Sequence, residues 1–216
     1  MYRGLGLMLS HMSRTAPSRM GFVLAGGKSS RMGAGSDRDK DKAFLEFRGQ
    51  TLLDRALAVM GLVCDSTAIV GDPAKFTKYE SVVADTFPGC GPLAGIHAAL
   101  LHSPAELNLM LAVDMPFVSR ELLAFLFAAA EESDAMVTVP RCGKGLQPLC
   151  AAYRRDFSTV AERALRAGKY KIDAAFSNVS LRVIEEDELA GAGFSVQSFF
   201  NLNTPQDRLA AEGRTF

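Results

Sequence analysis

The sequence lacks any surplus of charge: across 216 residues, 24 Lys and Arg face 24 Asp and Glu. Such a chain is not drawn as a whole to nucleic acid or to an anionic lipid surface, so any phosphate chemistry rests on local cations, backbone N–H groups and a metal. Long apolar runs are missing too, and none approaches the ~18 residues of a membrane span. Cysteine is sparse. Cys64, Cys90, Cys142 and Cys150 form no C-x-x-C pair and have no histidine at ligand spacing, which argues against a zinc site or a thioredoxin-type motif and for reduced thiols in a cytoplasmic protein. Internal repeats and low-complexity tracts are absent. So are G-x-x-x-x-G-K-[ST] and G-x-G-x-x-G, which disfavours P-loop NTPases and Rossmann dehydrogenases. No Ser-His-Asp or Cys-His set stands out, and His97 and His102, on an apolar helix, read as surface or packing residues.

What is present is an alternation. Short apolar runs at 22–25, 67–70, 81–84, 107–113, 135–139 and 149–153 are separated by amphipathic stretches at 52–63, 93–101 and 121–130, with Thr51 and Ser119 as N-caps. That pattern predicts an α/β fold, a parallel sheet with helices on its faces. At 48% apolar composition the chain supports one sizeable core, hence one domain. Further on, 157–167 reads as helix and 179–184 as extended chain, and Thr204-Pro205 opens a last helix over 206–212. Residues 1–20 hold an apolar run too short for a signal peptide and three methionines that could be starts, so they read as a disordered tail or start-site extension outside the fold.

The most informative segment is Phe22-Val-Leu-Ala-Gly-Gly-Lys-Ser-Ser-Arg-Met-Gly33. A strand here runs straight into two glycines, two hydroxyls and two cations. Gly26 and Gly27 let the backbone approach a ligand and align N–H groups as an anion nest, and Lys28, Ser29, Ser30 and Arg31 add phosphate donors. Asp114 closes the most apolar strand, at the carboxyl edge where open α/β sheets bind ligands. Mg²⁺ takes one or two carboxylates plus substrate phosphates and water, so Asp114 is the candidate metal ligand; a turn cap before Met115-Pro116 is the plainer reading. Asp85 ends a further run. After it, Gly91 and Pro92 open a helix whose N–H groups can face a nucleotide, and Gly95 leaves room for a base or ribose.

Taken in order, Leu24-Ala-Gly-Gly-Lys-Ser-Ser-Arg-Met-Gly33, Asp41-Lys-Ala-Phe44, Gly91-Pro-Leu-Ala-Gly95, Val113-Asp-Met-Pro116 and Asn201-Leu-Asn-Thr-Pro205 resemble the molybdenum cofactor guanylyltransferases. The resemblance implies one nucleotidyltransferase domain over 21–216, a three-layer αβα sandwich around a mostly parallel, Rossmann-like sheet. It implies transfer of GMP from GTP to the terminal phosphate of Mo-molybdopterin, with Mg²⁺ as cofactor and pyrophosphate released. It further implies molybdoenzyme apoproteins or their chaperones as partners, with no nucleic acid and no membrane. Carried over residue by residue, Leu24, Ala25, Gly26 and Gly27 match the nucleotide-binding strand and turn. Arg31 and Lys42 match the phosphate-binding, catalytic cations, Asp85 the nucleoside-contacting acid, and Asp114 the catalytic magnesium ligand. Asn201, Asn203 and Gln147 match positions on the acceptor side, where Arg141 and Lys144 also lie. The chain departs from the family between Gly33 and Lys42, where Asp39-Lys40 and Asp41-Lys42 repeat; the pair adjoining Ala43-Phe44 is the better match. Two other readings stay open: a cytidylyltransferase on the same fold, and a non-catalytic carrier of nucleotide or cofactor.

Overall fold

In the computed structural model, described at residues 19–26, 41–143, 145–203, 207 and 211, strand β1 (Arg19–Leu24) lies at the centre of the main sheet. Its parallel neighbours are β4 (Ser66–Val70) on one side and β6 (Leu107–Ala112) on the other. Short β5 (Val82–Val83) extends the sheet beyond β4. Beyond β6 come β9 (Cys150–Arg154), β7 (Val137–Cys142) and β10 (Leu181–Ile184). β9 runs antiparallel to both its neighbours, whereas β10 is parallel to β7. β8 (Gly145–Leu146) folds back on β7, and a separate hairpin joins β2 (Glu46–Phe47) to β3 (Gln50–Thr51). Its turn holds Arg48 at φ 52° and Gly49 at φ 79°, the pair of positive φ values that a two-residue type I′ turn requires.

Side chains alternate along the strands, and the alternation sorts the helices into two layers. Val23, Ile69, Leu109 and Leu111 pack with α1 (Leu52–Gly61), α3 (Arg120–Glu131) and α6 (Glu186–Gly191). Phe22, Leu24, Val70 and Met110 pack with α2 (Pro92–His102), α4 (Phe157–Arg166) and α5 (Ile172–Phe176). The result is three layers, αβα, as the sequence predicts. Thr51 and Ser119 cap α1 and α3, their hydroxyls accepting from Asp54 N at 3.0 Å and Leu122 N at 3.2 Å. α2 is buried along most of its length, since the sheet covers one side and α4 the other. Gly21 is dictated by packing: a Cβ there would stand 2.2 Å from Met60 Cγ, where α1 crosses β1.

Several sequence boundaries move. β1 spans Arg19–Leu24, with Met20 already buried, so the strand takes in two residues ahead of the Gly21 boundary read from the sequence. The run at 81–84 forms only a two-residue strand, and the run at 135–139 starts at Val137 and continues to Cys142. Of the last helix, only Asp207 and Ala211 are described, both helical; the rest of 206–212, and all of 1–18, lie outside the described residues. Among the described residues no helix is long and apolar enough to cross a membrane.

Candidate active site

The order of the strands creates the site. From β1 the chain moves outward to β4 and β5, then crosses back through α2 to β6 on the opposite side of β1. The strand order therefore reverses at β1, and the carboxyl ends of β1, β4 and β6 open a crevice. Ala25 N donates to Val70 O at 3.0 Å, and Val113 N donates to Leu24 O at 3.2 Å, so Leu24, Ala25 and Gly26 emerge between the two neighbouring strand ends. A Cβ on Gly26 would meet Val70 O at 3.9 Å and Gly71 Cα at 4.0 Å, an ordinary distance, and its φ is not positive. Neither space against the described residues nor the sign of its φ demands glycine there. Gly27 and Arg31 lie outside the described residues.

Leu24 pairs with Ala112 across β1 and β6, and Gly26 and Asp114 each follow two residues later, past the carboxyl ends of these neighbouring strands. Lys42 reaches it from a single turn of 3-10 helix, Lys42–Phe44. Lys42 Nζ donates to Asp114 Oδ2 at 3.1 Å and to Asn203 Oδ1 at 2.7 Å. Two features fix that turn. Ala43 is fully buried, and Asp41 caps the turn, its Oδ1 accepting from Ala43 N at 3.2 Å while its Oδ2 pairs with Lys75 Nζ at 3.2 Å. Asn203 is delivered by the segment before the last helix, where Leu202 N donates to Asp114 O at 2.8 Å. Asn201, half-buried, flanks Leu202 on the same segment. Residues 161 positions apart thus meet on one ammonium group.

Asp85 and Gly95 form a second cluster, next to the first through Leu24 and Val70. A Cβ on Gly95 would lie 3.3 Å from Leu24 Cδ2, 3.4 Å from Val70 Cγ1 and 3.7 Å from Asp85 Oδ1. Gly95 therefore brings α2 close to the sheet as well as sparing volume beside Asp85. Asp85 Oδ1 is buried with no hydrogen-bond partner among the described residues, and burial pushes the carboxyl pKa up. A buried acceptor left open in this way is the natural seat for a ligand N–H. Gly91 adopts φ 78°, a conformation that favours glycine, as it opens α2 ahead of Pro92. Its nearest neighbour in Cβ position is Tyr170 O, at 4.0 Å, so it faces the α4 to α5 link.

In the segment that the resemblance assigns to the acceptor, Gln147 N donates to Pro140 O at 2.8 Å, and Ala112 N donates to Leu149 O at 2.7 Å. The 147–149 segment thereby lies against the end of β6, across Asp114 from β1. Arg141 is engaged elsewhere, with its Nε 2.9 Å from Glu185 Oε2; Lys144 lies outside the described residues. The sequence reading missed two contributors. Lys75, which clamps Asp41, carries no sequence signal, being one lysine in a loop. His97 is a packing residue as read, but its ring is bonded to Thr86 at 3.0 Å.

The metal question turns on donors. Among the described residues no group of three or more His, Cys, Asp or Glu side chains could hold an ion. A single strand-end carboxylate does fit a hard cation that arrives with, and is mainly coordinated by, a triphosphate.

Known proteins share this family and fold. The sequence profile of the MobA-like NTP transferase domain matches residues 21–180. The molybdenum cofactor guanylyltransferase of Desulfosudis oleivorans is 34% identical over 194 residues, covering 89% of this chain and 93% of its own. A probable molybdenum cofactor guanylyltransferase of Pelotomaculum thermopropionicum is 36% identical over 193 residues, covering 88% and 90%. Among solved structures, molybdopterin-guanine dinucleotide biosynthesis protein A from Archaeoglobus fulgidus matches with a TM-score of 0.77 at 29% identity, over 89% of this chain and 96% of that one. The chain belongs to the MobA-like NTP transferase domain family and is a nucleotidyltransferase.

Proposed function

We propose that the protein transfers GMP from GTP to the terminal phosphate of Mo-molybdopterin in the cytoplasm, giving Mo-molybdopterin guanine dinucleotide and pyrophosphate. The observation that carries this reading is the meeting of Lys42 and Asp114 at 3.1 Å past the carboxyl end of β6, at the switch point of the sheet. An oxygen of the acceptor phosphate attacks the α-phosphorus of GTP. A new P–O bond forms, the bond from the α-phosphorus to the β-bridging oxygen breaks, and its electron pair leaves with pyrophosphate. Such a step asks the protein for in-line positioning and charge neutralisation and for no covalent intermediate.

The backbone of Leu24 to Gly27 receives the triphosphate, and Lys42, with Arg31 from the loop beyond, neutralises the departing pyrophosphate. Asp114 holds Mg²⁺, which supplies charge neutralisation on the phosphate oxygens when bound. The open oxygen of Asp85 suits guanine, which presents N1–H and its exocyclic amine side by side as a donor pair for one carboxylate. Gln147, Asn201 and Asn203 face the acceptor. The test is mass analysis of products after incubation with Mg²⁺ and molybdenum-loaded molybdopterin and either GTP or CTP. Formation of the guanine dinucleotide with pyrophosphate is expected; a cytosine dinucleotide would refute the choice of base, and binding of both ligands without pyrophosphate would identify a carrier.

A further inference from the structure

The loop that carries Asp85 is tied down one residue later. Thr86 Oγ1 lies 3.0 Å from His97 Nδ1, and His97 is 2% exposed on α2. Phe87 stands edge-on to the imidazole, 5.3 Å between ring centroids. Arg166 of α4, itself paired with Glu162, covers Phe87 at 5.9 Å. The other imidazole nitrogen, Nε2, is buried with no partner among the described residues. A buried polar atom left open is costly, and the neighbouring α2 residues Leu93, Ile96 and Leu100 are all apolar. Packing alone would favour a leucine at this position. What a leucine could not do is bond Thr86.

The helix that offers His97 to Thr86 also offers Gly95 to Asp85, at 3.7 Å from the position of a Cβ. Loop and helix are therefore joined at two successive loop residues, once by a hydrogen bond and once by a close approach that leaves Asp85 Oδ1 open. We infer that His97 is a positioning residue for base recognition: through Thr86 it fixes where the Asp85 carboxylate stands against Gly95, and so sets selectivity for guanine over other bases. This rests on the nucleoside-facing role proposed for Asp85.

The test is calorimetric binding of GTP, ITP and CTP, with saturating turnover, for the wild type and for Thr86→Val, Thr86→Ser, His97→Leu, His97→Asn and the Thr86→Val/His97→Leu double variant. ITP is the sensitive probe because it lacks only the exocyclic amine. Thr86 is exposed, so Thr86→Val tests the bond without disturbing the core. Thr86→Val and His97→Leu should each weaken GTP about fivefold, the value of one hydrogen bond. Both should also narrow the GTP to ITP preference and leave kcat within about twofold. Thr86→Ser and His97→Asn, which keep a group at the bonding position, should restore both properties, and the double variant should be no worse than the worse single one. Thr86→Val with wild-type affinity and selectivity, or with all three nucleotides weakened equally, would overturn the inference. If Asp85→Asn leaves GTP binding and selectivity untouched, the reading of Asp85 itself fails and the inference falls with it.

Discussion

The two halves of the sheet treat charge differently. Beyond β6, on β9, β7 and β10, the ionic contacts are mostly exposed and lie on the rim of the fold: Arg141 with Glu185, Arg182 with Glu188, and Arg154 with Glu106 at 3.3 Å. Around β1, β4 and β5 the ion pairs are on the whole less exposed, and among the described residues one acid is incompletely satisfied. Asp85 keeps a buried open oxygen, and Lys42 is shared by two acceptors from distant parts of the chain. Exposed pairs contribute about 0–1 kcal/mol each, whereas polar groups left open at strand ends cost stability unless a ligand completes them. The halves therefore differ less in whether their cations are paired than in the carboxylate oxygen that the β1, β4 and β5 half leaves open among the described residues.

The sharpest break of that comparison is Asp114→Ala. It should lower kcat by about a thousandfold, roughly 4 kcal/mol of transition-state stabilisation, with the melting temperature changed by no more than about 2 °C because the residue sits at the rim of the core. Pyrophosphate release and a thermal melt measure the two effects. Asp85→Asn should weaken GTP about tenfold, as expected for loss of a charged acceptor, and its effect on stability depends on pH. Burial raises the folded carboxyl pKa above its unfolded value, so the folded state holds the proton more tightly. Asp85 then favours folding most at acid pH and loses that contribution as pH rises through the folded value. The variant should melt higher than wild type at neutral pH, with the gap closing toward about pH 4. Wild-type GTP affinity should fall across the same acid window, as the carboxylate is neutralised.

A milder probe is Gly95→Ala, whose methyl group would crowd Leu24 and Val70 and approach Asp85. It should raise KM for GTP about threefold with little change in melting temperature, since the gain in helix propensity, ~1 kcal/mol, offsets the crowding. The smallest effect belongs to the other half. Arg141→Gln breaks a pair whose partners are 40% and 57% exposed and should leave kcat and KM within about twofold. A larger loss there would mean that Arg141 leaves Glu185 to meet the acceptor.

How legible this was from sequence depends on the range of the interaction. The central strands could be read because parallel strands covered on both faces appear as continuous apolar runs, and the helix starts because Thr51 and Ser119 cap locally. The antiparallel direction of β9 could not be read: the run at 149–153 is composed like the parallel strands of the sheet, and direction is set by the path of the chain. Short α5 and α6 and the β2 to β3 hairpin carry too few residues for a periodic signal. In the site, the end positions of Asp114 and Gly26 followed from their strands. The family resemblance gave Lys42 and Asn203 separate places in one site; their bond, like Lys75 and the Thr86 to His97 bond, needed coordinates, since nothing local links residues that far apart.

The claim on which the rest depends is that Asp114 holds the divalent ion only in company with the triphosphate. Electron paramagnetic resonance of Mn²⁺, titrated into wild type and Asp114→Ala with and without GTP, tests it directly. The account predicts weak Mn²⁺ binding by wild type alone, strong binding when GTP is added, and an increase in the Asp114→Ala variant no greater than GTP gives in free solution. Equal GTP-dependent retention of Mn²⁺ by both proteins would contradict it.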